Sequence, residues 1–279
     1  MSAPDTGTTG IEERGGRRVF VKDHPDPPPR LLEFEAVGLR ALAAAGARVP
    51  QVLAVRGTEL VTTVVGDEEA AGAAACATPS DAAGRAGGDG RDPGAFGREL
   101  AALHRTTNPA GSYGALDGHP AGWLGACPID LTPRSTLADS LLGDRVLPLV
   151  RRAVDAGVLD PAAARLADRL DADHLGPAEP PTLVHGDLWA GNRMVDAAGR
   201  SWLIDPSAHH GHREEDLAMM QLFGGFTPAE LAAYDETFPL AGGWRDRVGT
   251  FQLVPLLVHA LLFGGGYGAQ TLEALRRVA

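Results

Sequence analysis

The sequence predicts an α+β chain in two lobes, a small β-rich lobe with one helix and a larger, mostly helical lobe. Three observations lead there. The first 65 residues carry short strand-like runs around a single amphipathic stretch. Residues 66–94 then change abruptly to Gly, Ala, Asp and Pro, with too few bulky apolar side chains to offset the entropy of ordering them. Beyond that segment the apolar spacing is helical almost to the end, broken by one hairpin pattern. The expected organisation is a lobe over 1–65, a flexible linker or lid over 66–94, and a second lobe over 95–279.

Taken in order, the residues up to Gly10 read as frayed, and Gly15-Gly16 as a turn into a strand over Arg17–Lys22. The proline-rich break from Asp23 to Pro29 cannot be helix interior. A helix follows over Leu31–Ala45, closed by Gly46, and then come two strands near Val52–Val55 and Leu60–Val65. Helices are expected over Phe96–His104, from Thr132 to about Ala156, and over Pro161–Leu170, the last opened by Asp160. Leu183-Val184-His185 reads as a strand end. Arg193–Asp205 reads as a hairpin turning through Asp196–Gly199. Glu215–Phe223, Pro228–Thr237 and Arg245–Leu262 complete the helices.

A formal charge of -11 and a pI near 5.2 argue against a nucleic-acid or anionic-membrane surface as partner. The sequence has no uninterrupted apolar run of roughly 18 residues and no secretory pattern at Met1–Gly10, so neither a membrane span nor a leader is expected. Cys76 and Cys127 lack metal-like spacing and fit a reducing cytoplasm. Of the 25 basic residues only Lys22 is a lysine. In a chain that otherwise uses arginine for every cation, a lone lysine points to a site needing a compact ammonium instead of a planar fork.

The sharpest motif is His185-Gly186-Asp187-Leu188-Trp189-Ala190-Gly191-Asn192, followed by Leu203-Ile204-Asp205-Pro206. Its H-x-D-x-x-x-x-N spacing, with an aspartate after a later apolar strand, is that of the protein-kinase catalytic loop and its metal-binding residue. Phosphoryl transfer needs a carboxylate to accept the attacking hydroxyl's proton, here Asp187. It also needs hard oxygen ligands for Mg²⁺, here Asn192 and Asp205. Lys22, ending a small-lobe strand, is placed to hold the phosphates of ATP. Glu35 on the following helix is its candidate partner, with Glu33 as the alternative.

On these residues the chain resembles the fructosamine kinase (ketosamine-3-kinase) family, relatives of aminoglycoside and choline kinases. The likeness extends through Ile204-Asp205-Pro206-Ser207 and Gly211–Ala218 to Leu222-Phe223-Gly224-Gly225-Phe226. Upstream it takes in Val19–Lys22 and Glu35–Leu39. It implies a protein-kinase-like bilobal fold and transfer of phosphate from ATP to the 3-hydroxyl of a ketosamine. The product eliminates and frees the amine, whether small-molecule or protein-bound. The resemblance also implies that Trp189 packs against the sugar, although a Trp bracing the loop is the equal alternative. His210 is a further candidate substrate contact. His185 reads as a loop brace, and the three histidines His209, His210 and His212 do not suit zinc beside a hard Mg²⁺ site.

The chain departs from the family pattern twice. The glycine-rich hairpin ahead of the lysine strand is reduced to Gly7, Gly10 and Gly15-Gly16, so a full first strand is not expected. The hinge Leu60–Val65 lacks the usual acidic residue, leaving Val61 and Val64 as candidate adenine contacts through their backbones. An aminoglycoside- or choline-type kinase and a nucleotide-binding module without turnover are the competing readings. The sequence assigns no oligomeric state.

Overall fold

The structure is a computed structural model that describes residues 7–67 and 92–279. The interior of the expected linker, 68–91, lies outside the described residues.

The small lobe is one antiparallel sheet of four strands in the order β1-β2-β4-β3, with β1 Thr8–Arg14, β2 Arg17–Asp23, β3 Val52–Arg56 and β4 Glu59–Thr63. β1 corrects the expectation of a missing first strand and a frayed Gly10. It pairs with β2 through all seven positions from Thr8↔Asp23 to Arg14↔Arg17. Gly15 and Gly16, at φ 61° and 74°, supply the two left-handed residues that a tight hairpin turn requires.

The two-residue period of the sheet sorts its side chains. Val19, Val21 and Val61 cluster on one face with Ala54. Phe20, Lys22, Leu60 and Thr62 face the cleft. The helix α1, Leu31–Ala44, lies on the cleft side and buries Leu32, Ala36, Leu39 and Leu42. It ends at Gly46, φ 87°, whose N–H reaches Ala43 O at 3.0 Å while Ala47 N–H reaches Leu42 O at 3.0 Å. The same apolar cluster runs on through Leu183, Leu188, Leu203 and Leu217, so one core joins α1 to the large lobe.

The large lobe contains α2 Ala95–Leu103, α3 Leu147–Asp155, α4 Ala162–Ala167, α5 Glu214–Leu222, α6 Pro228–Thr237, α7 Trp244–Phe251, α8 Leu253–Phe263 and α9 Tyr267–Val278. The helix expected from Thr132 starts later. Asp130 accepts from both the N–H and the hydroxyl of Thr132, and Arg134 pairs with Tyr113, which holds the segment extended. A wide-turned π-helix over Ala138–Val146 then leads into α3. In place of one hairpin the lobe has three two-stranded sheets: β5 Ala121–Leu124 with β6 Cys127–Asp130, β7 Thr182–Val184 with β10 His209–Gly211, and β8 Arg193–Val195 with β9 Ser201–Leu203. The helical run Trp244–Phe263 is long and apolar enough to cross a membrane by composition, but half of it is buried and it packs as core through Leu253, Leu256 and Leu257.

Candidate active site

Lys22 reaches across the small lobe to Glu35 on α1, with Nζ at 2.8 and 2.7 Å from the two carboxylate oxygens. The same ammonium lies 3.0 Å from Asp205 Oδ1 in the large lobe. Glu35 is therefore the lysine's partner, and Glu33 is not. Burial alone would lower the lysine's pKa, but the carboxylates of Glu35 and Asp205 hold it above its ordinary value. Gly38, one helical turn beyond Glu35, permits this closeness, since a Cβ there would sit 3.0 Å from Ala208 Cβ and 3.3 Å from Pro206 Cγ. Asp205 itself has φ 52°, a left-handed value that aspartate tolerates better than most residues. Its side chain remains 49% exposed towards the cleft.

The catalytic-loop segment follows β7. Gly186, φ 78°, has no space for a Cβ, which would collide with the carbonyl oxygen of Ser207. His185 is fully enclosed, and burial lowers its pKa, keeping the ring neutral. Its Nε2–H donates to Ile204 O at 3.0 Å, and its Nδ1 accepts the Asp187 N–H at 3.3 Å, so it braces the loop. Asn192 donates from Nδ2 to Asp187 Oδ2 at 3.0 Å and to Asp187 O at 2.9 Å. Burial pushes the Asp187 carboxyl up to about 7; the bond from Asn192 opposes this, while the charges of Asp205 and Asp216 add to it.

Asp216, the third residue of α5, was not singled out by the sequence reading, although it falls in a conspicuous polar run. Its two carboxylate oxygens accept the N–H groups of His185 at 2.7 Å and Gly186 at 2.8 Å. His104, 3.1 Å away, connects it to the Tyr234 hydroxyl at 2.9 Å. The neighbours in that run are equally committed. Arg213 binds Glu179, Glu214 binds Arg247, and Glu215 binds the buried Arg145. Burial would raise the pKa of Glu215, but Arg145 and His209 hold it well below the usual carboxylate range. A densely charged stretch, normally the mark of a solvated face, is here the frame beneath the catalytic loop.

Two cavities meet at Lys22, Glu35 and Asp205. One, of about 190 Å³, is mostly apolar and is lined by Ile11, Phe20, Leu60, Val64, Met194 and Ile204. The other, of about 420 Å³, is more polar and includes Asp187, Asn192, Trp189, Trp123 and Ser207. Of the expected site residues, Lys22, Glu35, Val64, Asp187, Trp189, Asn192 and Asp205 thus line one cleft. Val61 does not: its side chain lies on the opposite face of the sheet, and its backbone is paired inside the sheet between Val21 and Ala54. His210 lines neither cavity and sits in β10, its backbone paired with Leu183 and Gly114. Sequence order near the motif does not reveal which face of a three-residue strand a histidine occupies.

A cleft between a small sheet and a helical lobe, with Lys22, Glu35, Asp187, Asn192 and Asp205 converging on it, defines a phosphotransferase of the protein-kinase-like class. The family profile described as fructosamine kinase matches residues 86–279. A probable ketoamine kinase of Thermus thermophilus is 36% identical over 251 residues, covering 90% of this chain and 83% of that one. A probable ketoamine kinase of Enterococcus faecium is 50% identical over a shorter match of 95 residues, 34% of either chain. The crystal structure of a candidate fructosamine-3-kinase from Thermobifida fusca superposes with a TM-score of 0.78 at 35% identity, covering 98% of this chain and 93% of that one. The chain belongs to the fructosamine kinase family, phosphotransferases that act on a hydroxyl group of ketosamines.

Proposed function

We propose that the protein transfers the γ-phosphoryl group of ATP to the 3-hydroxyl of a ketosamine, a sugar joined to an amine by glycation. The observation that carries this reading is the single cleft in which Lys22, tied to Glu35 and Asp205, stands opposite Asp187. Ile11, Phe20, Leu60, Val64, Met194 and Ile204 give an apolar slot suited to adenine. Lys22 at the inner end of that slot offers a compact ammonium to the phosphates. Asp187 accepts the proton of the sugar hydroxyl as its oxygen attacks the γ-phosphorus, and the bond to the bridging oxygen breaks to release ADP. In forming the dianionic ester the chain itself supplies position and charge, the two contributions on which phosphoryl transfer depends.

Asn192 and Asp205 would hold Mg²⁺, which neutralises phosphate charge when bound. The donor set fits a hard cation: the Asn192 amide nitrogen is committed to Asp187, which leaves its oxygen, and Asp205 is half exposed at the cleft. One amide and one carboxylate suit a cation that completes its shell with phosphate oxygens and water. Trp189, 39% exposed beside the cleft, offers an indole face to the sugar ring. The free, buried thiol of Cys127 accords with a reducing cytoplasm as the working compartment.

The test is ADP release from Mg²⁺-ATP with ribulose-lysine and fructose-lysine, run beside Asp187→Asn. Ketosamine-dependent ADP should fall by about 10²- to 10⁴-fold in the variant, the range associated with a lost general base. ATP binding without any acceptor-dependent ADP would replace this reading with that of a nucleotide-binding module. Turnover confined to aminoglycosides or choline would replace the substrate class.

A further inference from the structure

The connection from α5 to α6 is the run Phe223-Gly224-Gly225-Phe226. Three of its four residues lie against the segment that carries Asp187 and Asn192. The Phe223 ring meets the Trp189 ring edge-on, with centroids 6.1 Å apart. Gly225 approaches Ala190 so closely that a Cβ on it would lie 2.3 Å from the Ala190 Cβ. Phe226 stacks on Phe96 at 5.6 Å. The Arg193 guanidinium lies over both rings, 4.2 Å from the Phe96 centroid and 5.4 Å from that of Phe226. Glu230, in the first turn of α6, completes its surroundings at 2.6 Å.

These contacts fall on both sides of Asn192, and the chain between Asp187 and Asn192 has little slack. Asp187 O accepts the Trp189 N–H at 3.1 Å and the Asn192 side-chain amide at 2.9 Å, while Trp189 O accepts the Asn192 N–H at 3.0 Å. Ala190 opens the single helical turn that ends at Asn192. A Cβ is fixed to its backbone and cannot swing aside, so whatever displaces the Ala190 Cβ displaces that turn. Asp216 holds the start of the same loop, at His185 and Gly186, from the other end of α5.

We infer that the α5–α6 connection is a positioning element for phosphoryl transfer, with Gly225 its key residue: by meeting Ala190 at backbone distance it sets where Asn192 stands relative to Asp187. The inference rests on the proposed transfer to a ketosamine. Gly224 and Gly225 both have left-handed φ, 72° and 88°, so conformation alone favours glycine at each. Space separates them. A Cβ at Gly224 meets nothing within 4 Å, whereas one at Gly225 collides with Ala190. Restoring an ordinary carbon–carbon contact there requires the connection and the loop to part by about 1 Å. A displacement of that size in a reacting geometry can cost about 10²-fold in rate.

The experiment measures kcat, KM for ribulose-lysine, KM for ATP and Tm in the parent protein, Gly225→Ala, Gly224→Ala and the double variant Gly225→Ala/Ala190→Gly. Gly225→Ala should lose about 10- to 100-fold in kcat with KM for ATP unchanged, since the apolar slot and Lys22 lie outside the connection. Gly224→Ala bears the same left-handed strain without the collision, and should lower Tm while keeping the parent's kcat. Ala190→Gly in the double variant removes the colliding carbon and should restore most of the lost kcat, which a merely structural role for Gly225 would not allow. A parent-like kcat in Gly225→Ala overturns the inference, as does an equal loss in Gly224→Ala or a double variant no more active than Gly225→Ala. If Gly225→Ala does not fold, Phe226→Leu decides, because it keeps an apolar side chain and takes the ring from Arg193. A fall in kcat of about threefold or more at constant KM for ATP then upholds the inference, and a smaller one overturns it. A parent protein inert towards every ketosamine overturns the functional reading and, with it, the positioning role.

Discussion

At the scale of single residues, the charge on Asp187 is held where water would not leave it unaided. Its folded pKa of about 7 lies above the ordinary carboxylate value because burial penalises the anion. The sign of the linkage follows: the ionised group opposes folding at alkaline pH, and that opposition fades as pH falls through about 7 towards the unfolded value near 4. Asp187→Asn should therefore melt higher than the parent at pH 8, by roughly 2–4 °C for each kcal/mol relieved, with the difference shrinking by pH 5. Thermal melts at the two pH values check this. Lys22→Arg should fail in a different way. A planar guanidinium cannot occupy the position where a point charge is shared between Glu35 and Asp205, and kcat/KM should drop by at least about tenfold. Steady-state ADP release measures it. These residues were legible in the sequence because their chemistry fixes their spacing. Val61 was not, since it sits in mid-strand with its backbone paired to Val21 and Ala54 and its side chain among Val19 and Val21. Asp216 escaped for the opposite reason: its function is to accept backbone N–H groups, which no side-chain pattern announces.

Secondary-structure elements meet through small residues at two decisive places. Gly38 lets α1 press against the Asp205–Ala208 segment, and Gly97 lets α2 lie on α6, where a Cβ would run into the Glu230 carbonyl oxygen. Gly97→Ala should accordingly destabilise the protein by about 1–3 kcal/mol through forced separation of the two helices. The cost should appear in urea melts as a lower midpoint with an unchanged slope. Such a shift would reach the active site, because Tyr234 on α6 supports His104 and, through it, Asp216. A long periodic element such as α1 could be read directly from apolar spacing, whereas the single helix expected over Arg245–Leu262 is divided into α7 and α8. β1, β5, β6 and β10 could not. Threonine, glycine and proline weaken their patterns, and three- or four-residue strands acquire their identity only from a partner. The late start of the helix after Thr132 likewise depends on the bridge from Arg134 to Tyr113, 21 residues away along the chain and invisible to local spacing.

For the molecule as a whole, the two lobes share a continuous core yet enclose a cleft whose polar contacts span both. Lys22 belongs to the small lobe, while Asp187, Asn192 and Asp205 belong to the large one. A ligand that engages both sets stabilises their juxtaposition. Mg²⁺-ATP should raise Tm in proportion to the logarithm of its concentration, with about 2.7 kcal/mol gained at a hundred times its dissociation constant. Differential scanning fluorimetry across an ATP titration is the check, and Lys22→Arg should flatten the response. The division into a β-rich and a helical lobe was evident from composition and period. The joining of α1 to Leu183, Leu188 and Leu203 was not, because contacts so distant along the chain leave no local trace.

The solitary lysine has one more consequence. Sugars attach to proteins when an uncharged amine attacks their carbonyl carbon. This chain exposes no freely available lysine to that reaction, for its single ε-amine is kept protonated between Glu35 and Asp205 and is only 18% exposed. A kinase that works among ketosamines, and so among the sugars that produce them, would thereby escape glycation at its lysine.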